Sequence, residues 1–246
     1  LGCTKTAIHF RQKYYFPGFT EYLVDYIKNC ETCLQAKPIK KAQLTTSLQE
    51  LSSKQNFPGD MMQIDIVGKL SKSGGFSHIL TGIDVFSRFL FAIPVTRVDA
   101  PTIARTLVGI FMRHCYIPSV ILTDMGSIFV SSLFNELTSL LEIRLNHASV
   151  KHSQTVGTIE RSHSSLKKNL KIYEDNVVTN WHKYVDYAVF VHNSSYHLSI
   201  GCTPSSLFNG REPVTPLELR FRASAIEDVQ TSYDYNRDLK DAVTKM

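Results

Sequence analysis

The sequence predicts an α/β fold: a mixed five-stranded sheet flanked by helices and preceded by a small helical head. Three observations predict it. Three apolar runs follow one another between residues 61 and 95 with short joints between them. Two further short apolar runs then alternate with amphipathic stretches, and the first 37 residues carry helical patterns instead of strands. The order of three strands, helix, strand, helix, strand, helix reads as a mixed sheet with helices packed on it.

The head spans residues 1–37. Its run Tyr14-Tyr15-Phe16 meets Pro17-Gly18, a pair that breaks regular structure and separates two short helices. The second is expected over 20–33, with Tyr22, Leu23, Tyr26 and Ile27 on one face. Residues 38–59 read as a linker, rich in Lys, Gln, Ser and Thr, without apolar periodicity and closed by Pro58-Gly59.

The main domain is expected over 60–220. Its meander has strands at 61–67, 77–85 and 89–95, joined through Ser73-Gly74-Gly75 and Ser87-Arg88. Asp99 and Pro101 are helix-start residues, and Ile103, Leu107, Ile110 and Phe111 stripe the helix that follows, which ends before Pro118. Val120-Ile121-Leu122 is a fully apolar strand, 133–141 an amphipathic helix and 143–146 another brief strand. A last helix buries Ile159, Leu166, Leu170 and Tyr173, spaced at i, i+7, i+11 and i+14. Its other side holds Glu160, Ser164, Lys167 and Lys171, with Lys168 beside them. That lysine row reads either as a solvated face or as a surface for a nucleic-acid backbone. Residues 221–246 form a polar tail.

Composition narrows the function classes. With 43% apolar residues the chain is not disordered, and no run approaches the ~18 apolar residues of a membrane helix, so no membrane partner is expected. It opens on Leu1 without a charged-then-apolar leader, which reads as a fragment or a processed product. Of five cysteines only Cys30 and Cys33 are closely spaced, unlike a secreted disulfide framework, which favours a reducing compartment. A net charge of +5 leans weakly toward polyanions.

Three acids interrupt otherwise apolar segments. Asp65 lies in Met61-Met62-Gln63-Ile64-Asp65-Ile66-Val67-Gly68 and Asp124 in Ile121-Leu122-Thr123-Asp124-Met125-Gly126. Glu160 lies in Gln154-Thr155-Val156-Gly157-Thr158-Ile159-Glu160-Arg161, with thirty-five residues between it and Asp124. Burying a carboxylate costs several kcal/mol unless a cation compensates it, so three together invite a metal. Brought together by two strands and a helix, they could hold two hard divalent cations about 4 Å apart, the arrangement of two-metal phosphoryl transfer. Oxygen ligands favour magnesium or manganese over zinc. Taken singly, each acid has an ordinary alternative, since strand-end aspartates cap turns or pair with cations.

On these residues the chain resembles the integrases of LTR retrotransposons of the gypsy type and, more distantly, of retroviruses, whose core has the ribonuclease H-like layout. The likeness covers roughly residues 1–220. It is carried by Gln63-Ile64-Asp65, Ile83-Asp84-Val85-Phe86-Ser87-Arg88, Leu122-Thr123-Asp124-Met125-Gly126 with Phe129, and Gly157-Thr158-Ile159-Glu160-Arg161. Trp181, Val191-His192-Asn193-Ser194 with His197, and Thr203-Pro204 through Asn209-Gly210-Arg211-Glu212-Pro213 support it.

The resemblance implies a magnesium- or manganese-dependent nucleotidyltransferase with endonuclease activity. Asp65, Asp124 and Glu160 become its catalytic triad and hold two magnesium ions. The implied reaction is trimming of the 3′ ends of element DNA by water, then attack of the new 3′-hydroxyls on target DNA. Double-stranded DNA is then the partner, with Lys167, Lys168 and Lys171 as contacts. A homo-multimer is implied because two DNA ends are joined, and the nucleus is the place of action. Asp84 is implied to start a turn. The head resembles a His-His-Cys-Cys zinc-binding domain, with zinc on Cys30 and Cys33. The family's second histidine falls immediately before Leu1, so the zinc site of this fragment is expected to be incomplete, with His9 out of register. Ser153 and Met125 depart from residues common in the family, and Cys115 and Cys202 read as buried or incidental. Two alternatives stay open: a host protein derived from such an element, keeping the fold as a DNA-binding or protein-interaction module, and a simple nuclease of the same fold.

Overall fold

The computed structural model of the chain describes residues 2–11, 14–30, 57–147, 180–214 and 219. Its head is a helix pair, α1 (Cys3–Arg11) and α2 (Phe19–Lys28), parted at Pro17-Gly18. Gly18 stands at φ +73°, where a side chain is strained, and its carbonyl accepts the Tyr22 N–H at 3.2 Å to start α2. α2 stops at Lys28, short of the expected 33; the following Asn29 still gives its N–H to the Asp25 carbonyl and its side-chain amide to the Asp25 carboxylate. Leu23 and Ile27 are its buried residues. Tyr22 and Tyr26, expected on the same buried face, are each 62% exposed and stack on one another instead.

The main domain is a five-stranded sheet in the order β3-β2-β1-β4-β5. Its strands are β1 (Met61–Val67), β2 (His78–Asp84), β3 (Leu90–Val95), β4 (Val120–Thr123) and β5 (Arg144–His147). The first three pair antiparallel, as their short joints dictate, whereas β4 and β5 each run parallel to their neighbour. Parallel return requires crossovers, supplied by α3 (Ala100–His114) and α4 (Ser132–Leu140). The Asp99 side chain accepts the Thr102 N–H at 2.8 Å, and Pro101 needs no partner in the first turn, so α3 begins where the sequence indicated. Ile143 was expected to open β5. It finishes the turn after α4 instead, giving its N–H to Thr138 at 2.8 Å behind Glu142 at φ +57°.

Both faces of the sheet are covered. One cluster gathers Met62, Ile64, Leu80 and Ile121 against Ile103, Leu107 and Phe111 of α3 and Phe134 of α4. The other gathers Val67, Ile79, Ile83 and Leu90 against Trp181, Val185 and Ala188. These last come from a 3₁₀ turn (Trp181–Tyr184) and α5 (Val185–Asn193), which α6 (Pro204–Asn209) follows. Two polar ties lock this side. The Trp181 indole N–H donates to the Ser71 carbonyl at 2.7 Å, and the Asn193 amide meets both backbone groups of Leu90, accepting its N–H at 2.8 Å and donating to its carbonyl at 2.9 Å. Asn193 thereby covers backbone groups on the edge strand β3. Among the described residues no helix is long and apolar enough to cross a membrane. The expected helix bearing Glu160 and the linker up to residue 56 lie outside them.

Candidate active site

β1 and β4 run parallel side by side; Asp65 lies within β1 and Asp124 is the first residue beyond β4. Gln63 pairs with Leu122, and two residues further along each chain stand Asp65 and Asp124. Alternation along the two strands puts both aspartates on the same face of the sheet. Asp65 is half-buried and Asp124 is exposed.

Each carboxylate is held by a nearby backbone N–H. Ile66 donates to Asp65 Oδ1 at 2.7 Å, and Gly126 donates to Asp124 Oδ1 at 3.0 Å. A carboxylate offers about four lone-pair positions, so it can accept an N–H and bind a cation as well. The Thr81 hydroxyl also donates to the Asp65 carbonyl at 2.9 Å, which pins β1 at this level. Gly126 cannot be larger without cost: a Cβ there would lie 2.9 Å from Asp124 Oδ1.

The donor set fits the group that the sequence implied. Carboxylate oxygens on neighbouring strand ends suit a magnesium or manganese ion. The third acid, Glu160, lies outside the described residues, as do Lys167, Lys168, Lys171 and Cys33. Accordingly, among the described residues no group of three His, Cys, Asp or Glu gathers that could hold a metal. Cys30 is half-buried just beyond α2, and His9 lies on α1. Cys115 is exposed at the left-handed end of α3 instead of buried, and Cys202 is half-buried.

Asp84 has a different task. Fully buried, its carboxylate accepts the Gly59 N–H at 2.8 Å, the Ser87 N–H at 2.7 Å and the Ser87 hydroxyl at 2.5 Å. Burial pushes its pKa up, opposed by those donors and by the charge of Arg88. It organises the β2–β3 turn and anchors the entry to β1, the structural role expected of it.

Two histidines near these elements were not assigned roles by sequence reasoning. His147, at the end of β5, sets Nδ1 3.1 Å from Thr123 Oγ1 and 3.3 Å from the Asp124 carbonyl. The signal that could have found it is a polar residue closing a strand that must lie beside β4. His192, on α5, sets Nε2 3.1 Å from the Arg88 carbonyl, and burial pushes its pKa down to about 4.

Comparison with known proteins finds likeness in two segments of the chain. Residues 55–153 match the integrase core domain family, and residues 1–39 match the integrase zinc binding domain family. Residues 55–153 are thus similar to an integrase core domain. The Retrovirus-related Pol polyprotein from transposon 412 of Drosophila melanogaster is 28% identical over 240 residues, 97% of this chain and 19% of that protein. Gypsy retrotransposon integrase-like protein 1 of Bos taurus is 24% identical over 220 residues, 87% of this chain and 42% of that protein. The chain therefore spans about a fifth of the first relative and under half of the second. The HTLV-2 integrase catalytic core domain, solved in complex with magnesium in a trimeric form, matches with a TM-score of 0.52 at 18% identity. That match covers 62% of this chain and 97% of the other, a likeness of fold. The integrase core thus has the ribonuclease H-like sheet, and its matched segment includes Asp65, Asp124 and His147 but ends before Glu160.

Proposed function

We propose that the chain is the catalytic part of an integrase, a polynucleotidyl transferase that processes the 3′ ends of element DNA and joins them to target DNA. One observation carries the reading: Asp65 on β1 and Asp124 just beyond β4 lie on the same face of two parallel, neighbouring strands, each carboxylate accepting a backbone N–H. Two magnesium ions, when bound, would supply an activated oxygen nucleophile and stabilise charge on the leaving oxygen. The protein's own work is to hold anionic oxygens in fixed positions. Asp65 and Asp124 do so from the sheet, and Glu160 joins them from the helix that the sequence places after β5. Lys167, Lys168 and Lys171 follow Glu160 along that helix and hold a DNA backbone by charge. The partners are double-stranded DNA and further copies of the same chain, and the place of action is the nucleus. Zinc belongs to the complete head, with Cys30 and Cys33 among its ligands.

A second reading has its own support in the likeness to the Bos taurus integrase-like protein. A host protein derived from an element would keep this fold as a DNA-binding or protein-interaction module. Reverse transcriptase and protease sequences in the same reading frame favour the element, and a lone gene favours the derived protein.

The test is strand transfer on a short duplex with magnesium. Asp65→Asn, Asp124→Asn and Glu160→Gln should each cut the rate below about a tenth, a loss of more than ~1.4 kcal/mol of barrier reduction. A variant that keeps more than that removes its residue from the triad.

A further inference from the structure

β5 ends on His147, paired directly with Thr123 at the end of β4. One ring nitrogen, Nδ1, reaches both the Thr123 hydroxyl oxygen at 3.1 Å and the Asp124 carbonyl at 3.3 Å. A carbonyl oxygen only accepts, so the contact with Asp124 puts the proton on Nδ1, and the Thr123 oxygen accepts the other branch of the same N–H. The ring is half-buried.

Alternation along the strands tells which side of the sheet this ring occupies. Thr123 and His147 share a face with Ile121, Ile143 and Leu145, which pack into the cluster containing Met62 and Ile64. Asp65 alternates instead with Val67, which packs into the cluster on the opposite face. His147 therefore holds Asp124 from behind, through its backbone and not its carboxylate. Asp124 has need of a second hold. It is the first residue beyond β4 and is exposed, and strand pairing stops at Thr123. The Gly126 N–H orients the carboxylate within its own loop, but a loop free to pivot at Thr123 would carry that carboxylate with it.

We propose that His147 is a positioning residue for the integrase reaction: its Nδ1–H holds the Asp124 carbonyl and so sets where the Asp124 carboxylate points and how tightly the site takes a divalent cation. The proposal rests on the reading of Asp65 and Asp124 as cation ligands. Groups that orient metal ligands from outside the coordination sphere typically govern metal affinity by 10–100-fold, which sets the size of effect to look for.

The experiment is a manganese titration of the metal-free 246-residue chain without DNA, following free Mn²⁺ by electron paramagnetic resonance. His147→Leu, or His147→Ala should the leucine variant not fold, is expected to weaken manganese binding about tenfold. His147→Asn places an amide nitrogen close to where Nδ1 stands and is expected to restore most of the loss. Duplex binding in chelator is expected to stay unchanged in the His147 variants, since among the described residues the ring's hydrogen bonds go to Thr123 and Asp124. Manganese binding as tight as that of the unmodified chain in the leucine and alanine variants would overturn the proposal. So would an asparagine variant as weak as they are. Asp124→Asn separates the two levels of argument. If it loses manganese while His147→Leu keeps it, the role of His147 alone falls. If Asp124→Asn itself binds manganese normally, the cation site is misassigned and the proposal falls with it.

Discussion

Acid should destabilise this domain through one imidazole. His192 is 8% exposed, near the end of α5, and its Nε2 lies 3.1 Å from the Arg88 carbonyl. Because that carbonyl only accepts, Nε2 carries the proton of a neutral ring. Burial is the main cause that pushes the pKa down to about 4; the charge of Lys5 adds to it and the bond to Arg88 opposes it. The folded value thus lies below the ordinary 6.5, so the unfolded chain takes up a proton first as pH falls. The stability tied to this ring is complete above about pH 6.5 and is lost progressively down to about pH 4. At about 1.4 kcal/mol per pH unit, that gap amounts to about 3 kcal/mol. His192→Gln keeps an amide N–H near the position of Nε2 and removes the titration. Urea unfolding across this window, read from the fluorescence of Trp181, the single tryptophan and 3% exposed, gives both curves. The unmodified chain should lose about 3 kcal/mol more than His192→Gln between the two ends of the window. Parallel curves would refute the argument, because they would mean that the ring is charged or solvated in the folded state.

Three further predictions follow from single contacts. Asn193→Ala strands the N–H and carbonyl of Leu90 in a buried place, and at about 1–3 kcal/mol for each of the two unpaired groups it should cost about 2–6 kcal/mol in urea unfolding; a loss under about 0.5 kcal/mol contradicts it. Gly126→Ala sets a methyl 2.9 Å from Asp124 Oδ1, and the mobile carboxylate gives way, so stability should hold within about 0.5 kcal/mol while strand transfer falls about tenfold or more; an unchanged rate shows that the orientation of this carboxylate is immaterial. Replacing Lys167 and Lys171 together with alanine should flatten the slope of log duplex affinity against log salt by roughly two units, measured by fluorescence anisotropy, and an unchanged slope returns the row to a solvated face.

The parts of the fold legible in the sequence were those governed by neighbours along the chain. Short joints forced β1, β2 and β3 into a meander, and Asp99 with Pro101 marked the start of α3 because capping is settled within one turn. Placing β1 at the centre of the sheet, between β2 and β4, needed contacts between distant segments, and there the family resemblance carried what periodicity could not. The same limit governed the site. Asp65 and Asp124 stood out as acids in apolar runs, but the signal of His147, a polar residue closing a strand, acquires meaning only once β5 lies beside β4 and its partners are reached. The tie of Asn193 to Leu90 spans 103 residues and leaves no local trace beyond the motif it belongs to. In the head, helical periodicity assigned Tyr22 and Tyr26 to the buried face, yet among the described residues α2 buries only Leu23 and Ile27. Cys115 looked like a small buried hydrophobe by residue type; its left-handed position closing α3 puts it outside instead.

The central claim is that the ends of β1 and β4 form one cation site, and manganese anomalous scattering from crystals of the chain grown with Mn²⁺ in place of magnesium tests it most directly. The account predicts a peak between the two strand ends with a carboxylate oxygen of Asp65 and one of Asp124 each within about 2.1 Å of it, the distance typical of magnesium–oxygen coordination. A peak that touches neither aspartate, or the two carboxylates turned apart with no peak between them at saturating manganese, would contradict it.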